Sequence, residues 1–138
     1  MIKLLAGGKG GGKTKRLIDM SNEAVKTTDG HIVFIDDDRR HIYDLHYDIR
    51  FVDTTEFPLS NYRELVGFIY GILSQDNDIV EIYIDGIQNI IKTFDYEAFE
   101  KLRVKLDKIS AARSVEFFMV MNCENMDELP QSIKELTI

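Results

Sequence analysis

The segment Gly7-Gly8-Lys9-Gly10-Gly11-Gly12-Lys13-Thr14 satisfies G-x-x-x-x-G-K-[ST] at every fixed position. Glycines at this density let successive backbone N–H groups curl around a phosphate without side-chain clashes. A helix starting near Lys13 adds partial positive charge at the same place. Lys13 is then expected to reach the β and γ phosphates of ATP or another nucleoside triphosphate, with the Thr14 hydroxyl as a ligand of Mg²⁺. Up to Arg16 the chain holds Lys3, Lys9, Lys13, Lys15 and Arg16 and no acid, inside an otherwise acidic protein. The expected nucleotide contacts are Gly7, Gly8, Lys9, Gly10, Gly11, Gly12, Lys13, Thr14 and Lys15, although an ordinary solvated basic face also accounts for Lys3 and Lys15. Lys9 stands four residues before Lys13, so the loop is not of the K-G-G-x-G-K-T kind, where the spacing is five.

A phosphate loop of this type needs a carboxylate on a neighbouring strand to hold the metal's water shell. Glu81-Ile82-Tyr83-Ile84-Asp85 offers one, an apolar run closing on an acid, where ligands of open α/β sheets bind. An acid in that position also serves simply to end a strand. Asp36, Asp37 and Asp38 close a second apolar run and admit two readings, a catalytic acid or a solvated turn.

These residues must be positioned by elements that alternate short apolar runs with helical patterns, the signature of an α/β fold. Strands are expected over residues 2–6, 31–36, 50–54, 79–85 and 115–121. A helix over 13–27 carries Leu17, Ile18, Met20, Ala24 and Val25 on one stripe. Asn61 and Glu64 form a candidate capping box for a second helix, Asp95 caps a third with Phe99, Leu102, Leu106 and Ile109 inward, and Pro130 opens a short last one. The pattern predicts a single domain over 1–138, with a three-layer, doubly wound parallel sheet and the phosphate-loop strand at its centre.

Together the segments resemble a RecA-like P-loop NTPase core. The likeness rests on the P-loop and its helix, H-I-V-F-I-D-D-D at 31–38, D-I-V-E-I-Y-I-D-G-I at 78–87 and F-F-M-V-M-N-C-E-N at 117–125, in that order. It implies that Asp38 is the catalytic acid, Asp85 the Walker B metal-shell acid, and Asn122 a polar sensor of the γ-phosphate. Two positions depart from the family pattern. Asp38 is one methylene shorter than the usual Glu, and Gly86 stands where many related ATPases have another Glu. RecA-like sites often borrow an arginine from a neighbouring subunit, which makes Arg103 and Arg113 candidates in a homo-oligomer. The chain also resembles small stand-alone bacterial P-loop proteins often labelled twitching-motility-like. That label implies a pilus retraction motor, yet the acid- and histidine-rich boxes of such motors are not found, and His41 and His46 do not make one. Type II thymidine kinases are partly similar through Asp85-x-x-Gln88.

Three functions follow as expectations: a Mg²⁺-dependent NTP binder with slow hydrolysis acting as a switch or oligomeric subunit, a small-molecule kinase, or a nucleotide-binding scaffold without turnover. Composition narrows the partners. With 17 Lys+Arg against 24 Asp+Glu, the net charge of −7 argues against a general nucleic-acid coat or a binder of acidic membranes. The few residues after Asn122 leave little room for the DNA-binding loops of RecA-like recombinases, so nucleic acid is not expected. One cysteine, Cys123, excludes an internal disulfide framework and is expected to be a buried small apolar residue. No apolar run is long enough to span a bilayer, and the short run before Gly7 does not read as a secretory signal, so a cytoplasmic location is expected.

Overall fold

In a computed structural model covering residues 1–138, five strands lie parallel in one sheet. They are β1 (Ile2–Gly7), β2 (His31–Asp36), β3 (Arg50–Asp53), β4 (Ile79–Ile84) and β5 (Glu116–Asn122), in the order β1-β5-β4-β2-β3. Helices α1 (Lys13–Thr27), α2 (Tyr62–Gln75), α3 (Ile87–Ile90), α4 (Tyr96–Arg113) and α5 (Gln131–Lys134) connect or follow them. The fold is the expected α/β architecture with helices on both faces of the sheet.

Strand period explains how the faces divide. Alternate residues Ile35, Ile82, Ile84, Phe117 and Met119 join the larger core, with Leu65 and Ile69 of α2 and Phe99, Leu102 and Leu106 of α4. The residues between them, Ile32, Phe34, Tyr83, Phe118 and Val120, face Leu17 and Ile18 of α1. Register places Phe34 beside Tyr83 and Tyr83 beside Phe118. Their rings stack across three strands at 6.2 and 4.7 Å between centroids. Each fully buried ring or branched side chain is worth about 1.5–3 kcal/mol, so the two-sided burial of these strands fixes their register strongly.

The phosphate-loop strand is at the sheet edge rather than at its centre. β1 pairs only with β5, from Ile2–Phe117 to Gly7–Asn122. On its outer side the last residues of the chain run alongside, where Leu4 donates its N–H to Leu136 O at 2.9 Å and accepts from Ile138 N at 3.0 Å. That contact amounts to a single bridge, Leu4 to Thr137, and not to a sixth strand. The expected neighbour relation between β5 and the phosphate-loop strand is the one observed.

Helix starts follow the side-chain chemistry. Asn61 accepts from Glu64 N at 3.0 Å, as a cap should. The Glu64 carboxylate closes the box one residue early, accepting from Ser60 N and Ser60 Oγ at 2.6 Å each. Asp95 caps α4 by accepting from Ala98 N at 2.7 Å. α3, absent from the sequence expectation, is a single turn, too short for a periodic signal.

Because α4 supplies much of the larger core, Asp95→Ala should lower stability by about 1 kcal/mol, read as an earlier midpoint in urea with an unchanged slope.

Candidate functional site

The loop between β1 and α1 is built by glycine where the backbone requires it. Gly10 and Gly12 have φ of +80° and +79°, a region that side-chain-bearing residues rarely adopt. Gly11 N donates to Gly8 O at 3.3 Å, closing the turn. Lys13 folds back over it and donates Nζ to the same carbonyl at 2.5 Å. Gly12 caps α1 without a side chain, and no acid occupies the first turn. The unpartnered N–H groups and the positive end of the helix dipole therefore remain available to an anion.

Parallel register brings the other residues to the same end of the sheet. β2 ends at Asp36, Asp85 follows β4, and β5 ends at Asn122. Asp85 N donates to Ile35 O at 2.9 Å, and Cys123 N to Gly7 O at 2.8 Å, which ties the strand ends together. A cleft of about 640 Å³ opens above them. Lys9, Gly10, Gly12, Lys13 and Thr14 line one side, Asp36, Asp37 and Asp85 the other, with Asn122 at the end of β5. Only Ile87 and Val120 of the lining residues are apolar, so the cleft suits a highly charged ligand and offers no aromatic platform for a base.

The acids differ in their surroundings. Asp36 is 3% exposed. Burial, the Asp37 side chain and the neighbouring Asp85 charge push its carboxyl up to about 8, while its Oδ1 accepts from Asp37 N at 2.7 Å. Asp85 is also buried, with Oδ1 accepting from Gly86 N at 2.9 Å. Gly86 has φ of +77°, and a Cβ there would collide with the Asp37 carboxyl. Asp37 is held in that place by Asn89, which donates Nδ2 to Asp37 Oδ2 at 2.9 Å. Gly86, where the RecA-like pattern would expect a Glu, thus makes room for Asp37.

Several sequence-derived candidates fall elsewhere. Asp38 does not line the cleft; its Oδ1 accepts from Arg40 N at 2.9 Å and its Oδ2 from Arg40 Nε at 3.0 Å. The Arg40 hydrogen bonds and charge offset the cost of burying Asp38 and hold its carboxyl below the usual range. The physical reason is the strand end: β2 stops at Asp36, and the chain turns so that Asp37 rather than Asp38 faces the cleft. Lys15 points to solvent and pairs with Asp19 at 2.8 Å. Arg103 pairs with Glu100 and Asp107 on its own helix, and Arg113, exposed, donates Nη2 to Leu73 O at 3.0 Å. Gln88 clamps the backbone of Asn122, accepting from Asn122 N at 2.7 Å and donating to Asn122 O at 3.1 Å. His41 pairs with Asp44 at 3.0 Å, and His46 stacks on Tyr47. Cys123 is buried, as expected. Arg40, Asp37 and Asn89 were missed by sequence reasoning. The D-D-D run gave no sign of which acid turns inward, and a lone Asn or Arg in a loop carries no periodic signal.

No family model matches the chain, and no curated protein matches it. Among solved structures, it is similar in fold to the flagellar accessory protein FlaH from Methanocaldococcus jannaschii, with a TM-score of 0.65 and 10% identity over 97% of this chain and 65% of that one. It is also similar to the KaiC-like protein PH0186 from Pyrococcus horikoshii, with a TM-score of 0.64 and 21% identity over 89% of this chain and 61% of that one. The chain therefore spans less than two thirds of the length of either. Both likenesses are at the level of fold, which is RecA-like, and they lend nothing to the twitching-motility label.

The raised Asp36 carboxyl has a measurable consequence. Between its ordinary value of 3.8 and about 8, the folded chain holds a proton that the unfolded chain releases. Stability should therefore fall as pH rises through that window. Asp36→Asn should remove this slope, so thermal melts without nucleotide or metal should show the variant gaining on the parent as pH is raised toward about 8.

Proposed function

We propose that this chain binds a nucleoside triphosphate with Mg²⁺ in the cleft above β1, β5 and β4 and hydrolyses it slowly. The observation that carries the reading is the pairing across one cleft of an uncapped, acid-free helix N-terminus, with Lys13 beside it, and two buried acids, Asp36 and Asp85. The loop amides and Lys13 take the β and γ phosphates, with Lys13 exchanging the Gly8 carbonyl for phosphate oxygen. Thr14 and Asp85 hold the metal directly or through its water shell. The donor set fits a hard cation: oxygen ligands on one cleft, and a buried acid pair that keeps a proton when nothing else offsets its charge. Bound Mg²⁺ would neutralise charge on the phosphates. Asn122, fixed by Gln88, serves as the polar contact at the end of β5. Asp37 rather than Asp38 is the acid for the attacking water, because it lines the cleft and Asn89 fixes its carboxylate. The RecA-like fold supports the reading at the level of architecture. An oligomeric or protein-bound working state belongs to the same proposal.

Lys13→Ala should abolish ATP–Mg²⁺ binding by calorimetry while leaving the circular dichroism spectrum unchanged. Asp85→Asn should weaken only the metal-dependent part, and Asp37→Asn should bind normally and release phosphate more slowly. Unchanged affinity in Lys13→Ala would remove the phosphate site.

A second reading is favoured by one observation. A neighbouring cavity of about 390 Å³ shares Asp37 and Asn89 with the cleft and is lined further by Thr54, Phe57 and Lys92. On this reading it would hold the acceptor of a small-molecule kinase. Incubation with labelled ATP and a panel of nucleosides separates the two, since phosphate release alone supports hydrolysis and a labelled nucleotide supports transfer.

A further inference from the structure

We infer that Arg40 is a catalytic residue supplied by the same chain, contacting the terminal phosphate, and that Asp38 is the residue that positions it. This rests on the proposed triphosphate site. Arg40 belongs to the segment following β2 and lines the cleft with Lys13 and Asp85. Its side chain is 78% exposed, so the guanidinium is reachable by a bound ligand. Asp38 grips one edge of it. Nε donates to Asp38 Oδ2 at 3.0 Å, Nη2 lies 2.9 Å from the same oxygen, and Asp38 Oδ1 accepts from Arg40 N. The carboxylate thus fixes both the backbone and the Nε edge of the side chain, leaving Nη1 without a partner in the chain. A guanidinium held along one edge keeps donors in a rigid fork for phosphate oxygens on the other.

The chemistry calls for such a group. As water's oxygen bonds to the γ-phosphorus, the bond from phosphorus to the β–γ bridging oxygen breaks. The water's proton passes to Asp37 and on to solvent, and negative charge grows on the departing ADP oxygen. Lys9 and Lys13 approach from the loop side of the cleft. On the opposite side, Asp36, Asp37 and Asp85 would repel the phosphate, and Arg40 is the only cation lining the cleft that the β2 side provides. Neither Arg103 nor Arg113 lines the cleft. The acid that the sequence pattern offers as the catalytic base is, on this geometry, the holder of the arginine.

The test uses the full chain and two readouts, calorimetric affinities for ADP and for the non-hydrolysable imido analogue of ATP, each with Mg²⁺, and steady-state phosphate release. Arg40→Ala should leave ADP affinity unchanged, lose most of the preference for the triphosphate analogue, and lower kcat by about 10³-fold, the lower end of what a transition-state arginine contributes. Arg40→Lys should restore part of both, with less kcat because the ammonium lacks the fork. Asp38→Asn should lower kcat less than Arg40→Ala, and the double variant should be no worse than Arg40→Ala alone, the non-additivity of two residues acting as one. Arg40 is exposed and Asp38 half-buried in the segment after β2, and ADP binding serves as the control for folding. If Arg40→Ala keeps the parent's ADP-to-analogue ratio and rate, the inference falls while the nucleotide site stands. If the double variant shows the product of two independent losses, Asp38 acts on its own and not through Arg40. If the parent binds neither ligand, the underlying reading of the cleft fails instead. If it binds but does not turn over, the affinity ratio alone decides.

Discussion

Two carboxylates at the ends of adjacent parallel strands, both nearly removed from water, are the constraint around which the rest of this structure is arranged. Asp36 is 3% exposed and Asp85 9%. Burial above all, then the Asp37 side chain and the neighbouring Asp85 charge, push the Asp36 carboxyl up to about 8, so it keeps a proton near neutral pH. An arrangement of this kind costs stability in the empty protein, and it persists because strand register leaves no alternative. Ile35 and Ile84 are paired across β2 and β4 and fully buried, so the residues that follow them must emerge side by side. On the proposed function, a divalent cation held between them would relieve that cost, and the glycine-rich loop lines the same cleft.

The same register explains why one half of the site was legible in the sequence and the other was not. The loop could be read because each position has a local physical demand: positive φ at Gly10 and Gly12, an uncapped helix start, a lysine one residue on. Strands β1, β2, β4 and β5 and helices α1, α2 and α4 were legible for a related reason, since burial on one or two faces imposes a period that the sequence must carry. What lay beyond sequence was order and direction. The place of β1 at the sheet edge depends on what lies beyond it, and a single bridge to Thr137 gives no pattern to detect. The choice among Asp36, Asp37 and Asp38 depends on how the backbone turns after β2, and three identical residues cannot mark it.

The two departures from the family pattern, an Asp for a Glu and a Gly for a Glu, resolve into one local rearrangement. At Gly86 a side chain is excluded twice, by φ of +77° and by the Asp37 carboxyl lying where Cβ would be. Asp37 holds that place through Asn89, which itself belongs to the single turn α3 that begins after Gly86. The same turn carries Gln88, whose amide grips Asn122 at both N–H and C=O. Gly86 therefore does more than lack a carboxylate. It starts the turn that aims one acid and fixes the polar residue at the end of β5. Restoring a glutamate at 86 would displace the acid it was meant to supplement.

From this follows a different account of the three aspartates than an acidic turn. Each has a different set of partners: Asp36 meets Asp37 and the Asp85 charge, Asp37 meets Asn89 and Gly86, and Asp38 meets Arg40. The three carboxylates nonetheless lie close together, each offering an oxygen within 4.8 Å of the others, so the partners outside the run decide what each one does. The shortness of Asp matters here. A Glu at 38 would no longer close the compact turn over residues 38–40 in which one carboxylate binds both the backbone N–H and the side chain of Arg40. The missing methylene at Asp38, which reads as lost reach if that residue is a base, is the length that a bidentate grip on Arg40 requires.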